Sequence, residues 1–278
     1  MNKDPKEFLG KREYLYKTLK CPSNVIIPTN DIEAFSTLPK YNWVYDKQNI
    51  CRDFGIRYGT QKDIPDKFPV IVKPYINLFS LSKGLRSESN EDFKMQNDEI
   101  WMEYITGVHE SWDFILLNGN IVWTYCFTGY PDTSLLGAFL YWRSCPGIVC
   151  TYQDLLNWIS LNFKGYTGCL NVEGRKNNNS FLPLDVHLRM GDVFYLPNRV
   201  EIGKSIISIY SSGTFIEIKP ENQTTYLHPF FSKWHLPPEL VIEKIKEEYD
   251  ILDQYFIDER PMVLPSGGRR LFIGSTLI

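Results

Sequence analysis

The sequence predicts an α+β protein that contains antiparallel strands. Of its 278 residues, 43% are hydrophobic and 23% are charged, a balance typical of a folded chain rather than of a disordered or fibrous one. Strand-like and helical segments alternate in the order expected of an α+β protein, not in regular βαβ units. No internal repeat or low-complexity linker divides the chain, and its length allows one large domain or two modest ones.

The N-terminal part of the chain contains two predicted helices and two predicted strands. Residues 7–19 fit a helix, and the apolar run at residues 24–28 fits a short strand. Asp46 is a helix-capping residue type, so a second helix is predicted over residues 47–54, where a glycine follows. The β-branched run at residues 68–74 predicts a buried strand.

The middle of the chain is predicted to form a meander that leads into a helix. Small polar residues at 80–84 indicate a loop. Strands are predicted at residues 100–105, 112–117 and 121–123, the last two joined by an Asn-Gly-Asn turn. Apolar residues at helical spacing then predict a helix over residues 151–163.

The rest of the chain is predicted to contain a hairpin, two strands and a helix. A polar turn near Asn179 separates the strand-like residues 168–173 and 181–189, and this pattern predicts the hairpin. Further strands are predicted at residues 205–210 and 214–218, and a helix from Pro238 to about residue 255. That helix has one apolar side, which we expect to pack on the core or in a homodimer.

Composition also restricts the partners and the compartment. The 30 basic and 33 acidic residues leave a net charge of −3, so binding to nucleic acid is not expected without a local basic patch. No apolar run approaches the roughly 20 residues that cross a bilayer, and the N-terminus lacks the pattern of a signal peptide. The six cysteines form no Cys-x-x-Cys pair. We therefore expect a cytoplasmic protein with reduced thiols and no membrane segment.

The hairpin carries the most informative polar residues. Its turn places Glu173 opposite Asp185, and the spacing of two puts Asp185, His187 and Arg189 on one face. Two acids facing each other destabilise a sheet unless a cation lies between them, and carboxylate oxygens suit Mg²⁺ that is also held by phosphate. The alternative is a solvent-facing strand with ordinary charges.

Two other segments suggest a nucleotide. Lys73 closes the buried strand at residues 68–74, and its ammonium group would need an anion such as phosphate unless it reaches water. The strand end at residues 103–105 could expose backbone groups to a flat base, and the carboxylate of Glu110 could accept hydrogen bonds from ribose hydroxyls. Neither segment is specific by itself.

In their order along the chain, these segments resemble the ATP-grasp superfamily of carboxylate-amine and carboxylate-thiol ligases. The resemblance covers residues 46–192 and rests on Phe-Pro-Val-Ile-Val-Lys-Pro at 68–74, Met-Glu-Tyr-Ile-x-Gly-x-x-Glu at 102–110, Gly-Tyr-x-Gly-x-x-Asn-Val-Glu at 165–173 and Leu-Asp-Val-His-Leu-Arg at 184–189. It implies two α+β subdomains that grip a nucleotide. Their expected limits are residues 46–104 and 105–192, after a short element at 1–45 and before C-terminal strands and a helix at 193–278.

The resemblance also implies a role for each matching residue. Phosphate-binding and catalytic roles fall on Lys47, Lys73 and Arg189, lid roles on Ser82, Lys83 and Gly84, adenine-binding roles on Glu103, Tyr104 and Ile105, a ribose role on Glu110, and metal-binding roles on Glu173, Asp185 and His187. The cofactors would be ATP and Mg²⁺ or Mn²⁺. The pattern departs from the family at His187, where asparagine is usual, and at Asp185, where glutamate is usual.

The implied reaction is an ATP-dependent, ADP-forming ligation. A carboxylate would attack the γ-phosphate to form an acyl-phosphate, which an amine or thiol acceptor would then displace. Two alternatives remain open. One is a catalytically degenerate domain that binds a nucleotide or a protein partner, because of the changes at Asp185 and His187. The other is a kinase-like phosphotransferase on the same core.

Overall fold

A computed structural model describes residues 11–79, 84–131, 136–232, 255–263 and 269–277. These residues form two antiparallel sheets with helices packed around them, as expected for an α+β protein. The helices are α1 (Lys11–Thr18), α2 (Asp31–Thr37), α3 (Lys47–Asp53), α4 (Gln153–Asn162) and α5 (Arg199–Ser212). None of the helices in the described ranges is long and apolar enough to cross a membrane.

The smaller sheet has four strands among the described residues. Its strands are β1 (Tyr58–Gly59), β2 (Val70–Pro74), β3 (Arg86–Glu88) and β4 (Glu99–Glu103), in the order β1-β4-β2-β3. Helix α3 leads into this sheet, and the side chain of its N-cap residue Asp46 accepts a hydrogen bond from the backbone N of Gln48 at 2.9 Å. This cap fixes the start of the helix and therefore the position of Lys47, its first residue.

The larger sheet has eight strands. They are β5 (Val108–Leu117), β6 (Asn120–Pro131), β7 (Phe139–Ser144), β8 (Gly168–Asn177), β9 (Ser180–His187), β10 (Thr225–Ser232), β11 (Tyr255–Val263) and β12 (Arg269–Leu277), in the order β11-β12-β10-β7-β6-β5-β8-β9. The predicted meander and hairpin are confirmed as β4 to β6 and as β8 to β9. The predicted metal-binding residues of this sheet therefore lie at the β8–β9 edge.

Two apolar clusters cover opposite faces of the large sheet. On one face, α4 packs against β5 through residues such as Phe114 and Leu155. On the other, Ile115 packs with Leu15 of α1 and Ile206 of α5. Successive side chains of a strand alternate between faces. Trp112 and Phe114, the neighbours of Asp113 in β5, both belong to the first cluster. Asp113 therefore lies on the other face, which α1 and α5 cover.

Three sequence predictions of secondary structure are wrong. Residues 205–210 belong to helix α5 rather than to a strand, and residues 24–28 and 214–218 form no strand. The isoleucines at 202, 206 and 209 recur at helical spacing and are buried, so tertiary burial overrides the β-propensity of the short apolar run. The predicted helix from Pro238 lies largely outside the described residues, as does most of the predicted loop at 80–84.

Candidate functional site

The site is built around two carboxylates on neighbouring strands. Glu173 of β8 pairs directly with Asp185 of β9, as the hairpin pattern predicted. Their side chains are 33% and 31% exposed, so both carboxylates can be reached from solvent. Two like charges at directly opposed positions repel each other, and positive groups must lie nearby to stabilise the pair.

A β-bulge next to the acid pair sets its register. The register between β8 and β9 shifts between Glu173 and Gly174. A Cβ atom at Gly174 would collide with the backbone oxygen of Leu182 and the ring of Phe181. Only glycine therefore lets the two strands approach closely at this point.

Substituting Gly174 by alanine is expected to lower the free energy of unfolding by about 1–3 kcal/mol, because the added methyl group overpacks the bulge. Urea denaturation monitored by tryptophan fluorescence measures this loss. An unchanged denaturation midpoint would show that the bulge can relax without cost.

Two lysines bind the carboxylate of Asp185. Lys47 Nζ lies 2.8 Å from Asp185 Oδ1, and Lys73 Nζ lies 3.3 Å from Oδ2 and 3.2 Å from the carbonyl oxygen of Leu184. Desolvation by itself would raise the pKa of Asp185, but the two ammonium groups outweigh it and hold that pKa far below its usual range. Burial lowers the pKa of Lys73, while Asp185 opposes the shift. The ammonium groups of Lys47 in α3 and Lys73 in β2 therefore both pair with Asp185 of the large sheet.

Two imidazoles flank the other acid. His109 Nε2 lies 3.6 Å from Glu173 Oε2, and His187 Nε2 lies 4.0 Å from Oε1. Burial raises the pKa of Glu173, but the neighbouring imidazoles of His109 and His187 shift it below its normal value. The ring of His109 makes edge contacts with Phe139 and Trp142 at centroid distances of 4.8 and 5.2 Å. Sequence reasoning missed His109, although the alternation along β5 places it on the face of Glu173.

A buried aspartate from the N-terminal segment holds the end of β9. Asp31 is 1% exposed, and its two oxygens accept from Arg189 Nε and Nη2, each at 3.0 Å. The same carboxylate lies 3.0 Å from His187 Nδ1 and accepts from the Tyr45 hydroxyl at 3.2 Å. Burial opposes ionisation, but Arg189 and His187 keep the pKa of Asp31 well below its ordinary value. Sequence analysis assigned no role to Asp31.

An apolar cluster adjoins the lysines, between the small sheet and β9. It contains Cys51, Ile56, Ile100 and Met102, with Ile71, Ile105, Leu182 and Leu184 packed against them. Of the three predicted adenine-binding residues, Ile105 therefore joins the cluster and Tyr104 is 48% exposed. The carboxylate of Glu103 accepts from the backbone N and Nε of Arg57 at 3.0 and 3.1 Å.

The remaining predicted residues lie in different surroundings. Glu110 is buried, and its Oε2 accepts from Trp112 Nε1 at 2.8 Å and from the Tyr152 hydroxyl at 2.9 Å. Because residues alternate along β5, Glu110 lies on the sheet face opposite to Glu173, and its ribose role stays a prediction. Ser82 and Lys83 lie outside the described residues. Gly84 adopts a φ of +79° and lies against Pro74 of β2.

A divalent ion was predicted at the acid pair. Among the described residues, no group of three or more His, Cys, Asp or Glu side chains is assembled to hold a metal. Both oxygens of Asp185 are bound to lysines. A hard cation would need Glu173 and Asp185 as carboxylate ligands, with further oxygens from a ligand. The metal-binding roles of Glu173, Asp185 and His187 stay predictions.

Known proteins share the fold of this chain but little of its sequence. No protein-family model and no curated protein sequence matches the chain. Among solved structures, it is similar to the L-amino acid ligase of Bacillus licheniformis, at 12% identity and a TM-score of 0.60, covering 97% of this chain and 80% of that one. It is also similar to the carboxyaminoimidazole ribonucleotide synthase of Aspergillus clavatus, at 9% identity and a TM-score of 0.64, with the same coverage. These structures are ATP-grasp ligases. The chain has an ATP-grasp fold.

The ATP-grasp fold accounts for the two-lobed arrangement. Phosphoribosylamine–glycine ligase of Thermotoga maritima is another similar structure, at 14% identity and a TM-score of 0.59, covering 93% of this chain and 80% of that one. The small sheet carries Lys73, and the large sheet carries the acid pair. The domain limits at residues 45, 104 and 192 stay predictions.

Proposed function

We propose that this protein binds ATP between its two lobes and uses it, as an ADP-forming ligase, to activate a carboxylate for attack by an amine or thiol. One observation carries the proposal: Lys47 and Lys73 converge on Asp185, opposite Glu173 and beside an apolar cluster. A nucleotide has parts that match these groups. Its base suits the apolar cluster, and its anionic phosphate chain binds cations.

The ion pairs of the free site can be exchanged for those of a bound nucleotide. Phosphate oxygens would replace Asp185 as the partners of Lys47 and Lys73, and the released carboxylate would join Glu173 as a ligand of the divalent ion. Each charged group then keeps an opposite charge nearby, so burying the triphosphate leaves no ion without a partner. A bound Mg²⁺ or Mn²⁺ would neutralise charge on the phosphates. The lysines would hold the phosphate chain in place, and the apolar cluster would exclude water from the base.

Solved structures with a similar fold support the choice of ligand. Carboxyaminoimidazole synthases were solved in complex with ATP from Aspergillus clavatus and with ADP from Staphylococcus aureus. Both similarities extend over 96–97% of the present chain, with TM-scores of 0.64 and 0.61. A cytoplasmic location would provide the ATP, and the six free cysteines suit that reducing compartment.

The first test of the proposal is thermal unfolding with nucleotide. ADP at about 100 times its Kd should add roughly 2.7 kcal/mol of stability, which raises the Tm by about 5–10 °C for a chain of this size. We expect the full shift only when Mg²⁺ or Mn²⁺ is present, because without it Glu173 and Asp185 would face the phosphates. A nucleotide that produces no shift with either ion would refute the proposed site.

Replacing Lys73 by methionine is expected to weaken the binding of ADP with Mg²⁺ by about 10–100-fold, since a hydrogen bond between charged groups contributes roughly 1.5–3 kcal/mol. Isothermal titration calorimetry measures the affinity. Lys67→Met removes a charge from an exposed lysine of the same lobe and serves as the matched control. Equal affinities for the two variants would remove Lys73 from the site.

Turnover distinguishes the ligase from its alternatives. Trapping with hydroxylamine, in the presence of ATP and a panel of carboxylates and amines, should yield a hydroxamate from an acyl-phosphate. A phosphorylated product without hydroxamate would instead indicate a kinase-like reaction. Nucleotide binding without ATP consumption would favour a catalytically degenerate domain. This second candidate is supported by the ion pair in which Arg189 donates to both oxygens of Asp31.

A further inference from the structure

Two cysteines lie directly opposite each other at neighbouring strands of the large sheet. The register that pairs Phe127 of β6 with Ser144 of β7 continues to Cys126 and Cys145, and the backbone N of Cys145 donates to the carbonyl oxygen of Cys126 at 2.9 Å. Opposed residues of an antiparallel pair point to the same face, with Cβ atoms about 4.5–5.5 Å apart. A disulfide needs a Cβ separation of about 3.5–4.5 Å, so a small shift of the strands brings the sulfur atoms into bonding distance.

Both thiols are buried in one apolar cluster, away from the proposed ATP site. Cys126 and Cys145 belong to the cluster that also contains Leu155 of α4, and neither is bonded to another cysteine. Cys126 pairs with Trp112 of β5, whereas Glu173 pairs with the next residue, Ser111. Because the side chains of a strand alternate between faces, the thiol pair lies on the face of the sheet opposite to Glu173.

The surroundings of Cys145 favour its ionised form. Its Sγ lies 3.3 Å from the hydroxyl oxygen of Thr128. The neighbouring thiol of Cys126 and this hydroxyl outweigh desolvation and lower the pKa of Cys145 to about 6, whereas the pKa of Cys126 is raised by Cys145 and by burial. The thiolate is the form that attacks oxidants. Exposed residues at 147–149 follow Cys145, so a small oxidant has a shorter path to this sulfur than to the one in β6.

We propose that Cys126 and Cys145 form a reversible disulfide when the protein meets a hydroperoxide such as hydrogen peroxide. The sulfur of Cys145 first attacks one peroxide oxygen. An S–O bond forms, the O–O bond breaks, and the leaving hydroxide takes up the proton that the Cys145 thiol released and becomes water. The thiol of Cys126 then attacks the sulfenic sulfur of Cys145, and the displaced hydroxide leaves with the thiol proton as water. The cysteine pair is oxidised, and the peroxide is reduced to water.

Peptide mapping of the full-length protein tests the inference. The reduced protein is treated with hydrogen peroxide at pH 7, the remaining thiols are blocked with iodoacetamide, and trypsin cleaves after Arg143, between the two cysteines. We expect two peptides joined through Cys126 and Cys145, which dithiothreitol separates again. Cys150 belongs to the same cluster and is the competing thiol. Cys150→Ala should retain the joined peptides, because this residue takes no part in the bond.

Variants assign the roles of the two thiols. Cys145→Ala should slow the oxidation of Cys126 at least about tenfold, because the thiolate is lost. In Cys126→Ala, the sulfenic acid of Cys145 should accumulate and be trapped by dimedone, since no second thiol follows. Cys169→Ala removes a buried cysteine of the other cluster and is the matched control, which should form the disulfide at the wild-type rate. The wild-type peptide map needs no variant and decides the inference if a variant fails to fold.

Each other outcome overturns the inference. A disulfide between Cys145 and Cys150 would show that the opposed pair is not the one that reacts. Oxidation of Cys145 to sulfinic acid without a bond to Cys126 would show that the strands cannot approach. Oxidation of Cys126 and Cys145 no faster than that of Cys169 in the folded protein would remove the special reactivity of the pair. None of these results bears on the binding of ATP, which is proposed for other residues.

Discussion

Replacing Asp31 by alanine is expected to lower the free energy of unfolding by about 3–5 kcal/mol, the usual loss when one partner of a buried ion pair is removed. The Arg189 side chain is 9% exposed, and both of its bonds to a carboxylate are made to Asp31. Alanine would leave this guanidinium buried without a counter-ion. The variant also loses the hydrogen bonds of Asp31 to His187 and Tyr45, so the N-terminal segment would be held less firmly against β9.

Urea denaturation at neutral pH measures this loss. The double variant Asp31→Leu/Arg189→Met removes both charges and fills the space with apolar side chains, so it should be several kcal/mol more stable than Asp31→Ala. That comparison separates the cost of an unpaired guanidinium from the cost of lost packing. If the single variant loses less than about 1 kcal/mol, Arg189 finds water or another acid, and the ion pair is not what holds the segment.

Replacing Asp113 by asparagine should stabilise the protein at pH 8 and not at pH 4. Asp113 is fully buried, and burial raises the pKa of its carboxyl group from 3.8 to about 7. Its Oδ1 accepts from the backbone N of Gly191 at 2.5 Å and from Asn171 Nδ2 at 3.1 Å, and Oδ2 has no hydrogen-bond partner among the described residues. An amide keeps the acceptor at Oδ1 and needs no ionisation.

The sign follows from the direction of the shift. A raised pKa in the folded state means that the folded protein retains a proton which the unfolded chain has released above pH 3.8. The contribution of Asp113 is therefore fully present below pH 3.8 and is lost as the pH rises through about 7. The shift of about three units corresponds to roughly 4 kcal/mol, so the stability of Asp113→Asn relative to the wild type should increase by up to this amount between pH 4 and pH 8.

Denaturation curves at several pH values test this prediction. The variant must be compared with the wild type at each pH. Protonation of carboxylates with lowered pKa values, such as Asp31, destabilises the folded state of both proteins at low pH. Asp92→Asn, at an exposed acid, provides the control and should show no dependence on pH. A constant stability difference between Asp113→Asn and the wild type across this range would mean that Asp113 is ionised in the folded protein at neutral pH.

Local sequence patterns were sufficient for the centre of the site. The polar turn between two strand-like runs fixed the pairing of Glu173 with Asp185, because the register of a tight hairpin depends on the turn. The β-branched run before Lys73 likewise predicted strand β2 correctly. In both cases the residues that determine the structure are neighbours in sequence.

Contacts distant in sequence were not predictable in the same way. Asp31 and His187 are 156 positions apart, and nothing around Asp31 indicates a buried carboxylate rather than the first acidic residue of a helix. Helix α5 was misread because a short run of isoleucine and serine fits either structure until its buried face is known. The missing information was tertiary burial in both cases.

The two lysines of Asp185 also link the two sheets. Lys47 lies on α3 and Lys73 on the small sheet, whereas Asp185 lies on the large sheet, so their ion pairs connect these parts of the fold. Under the proposed function, the phosphates of a nucleotide must first displace this internal carboxylate from both lysines, so the measured affinity for the nucleotide includes the work of displacing it.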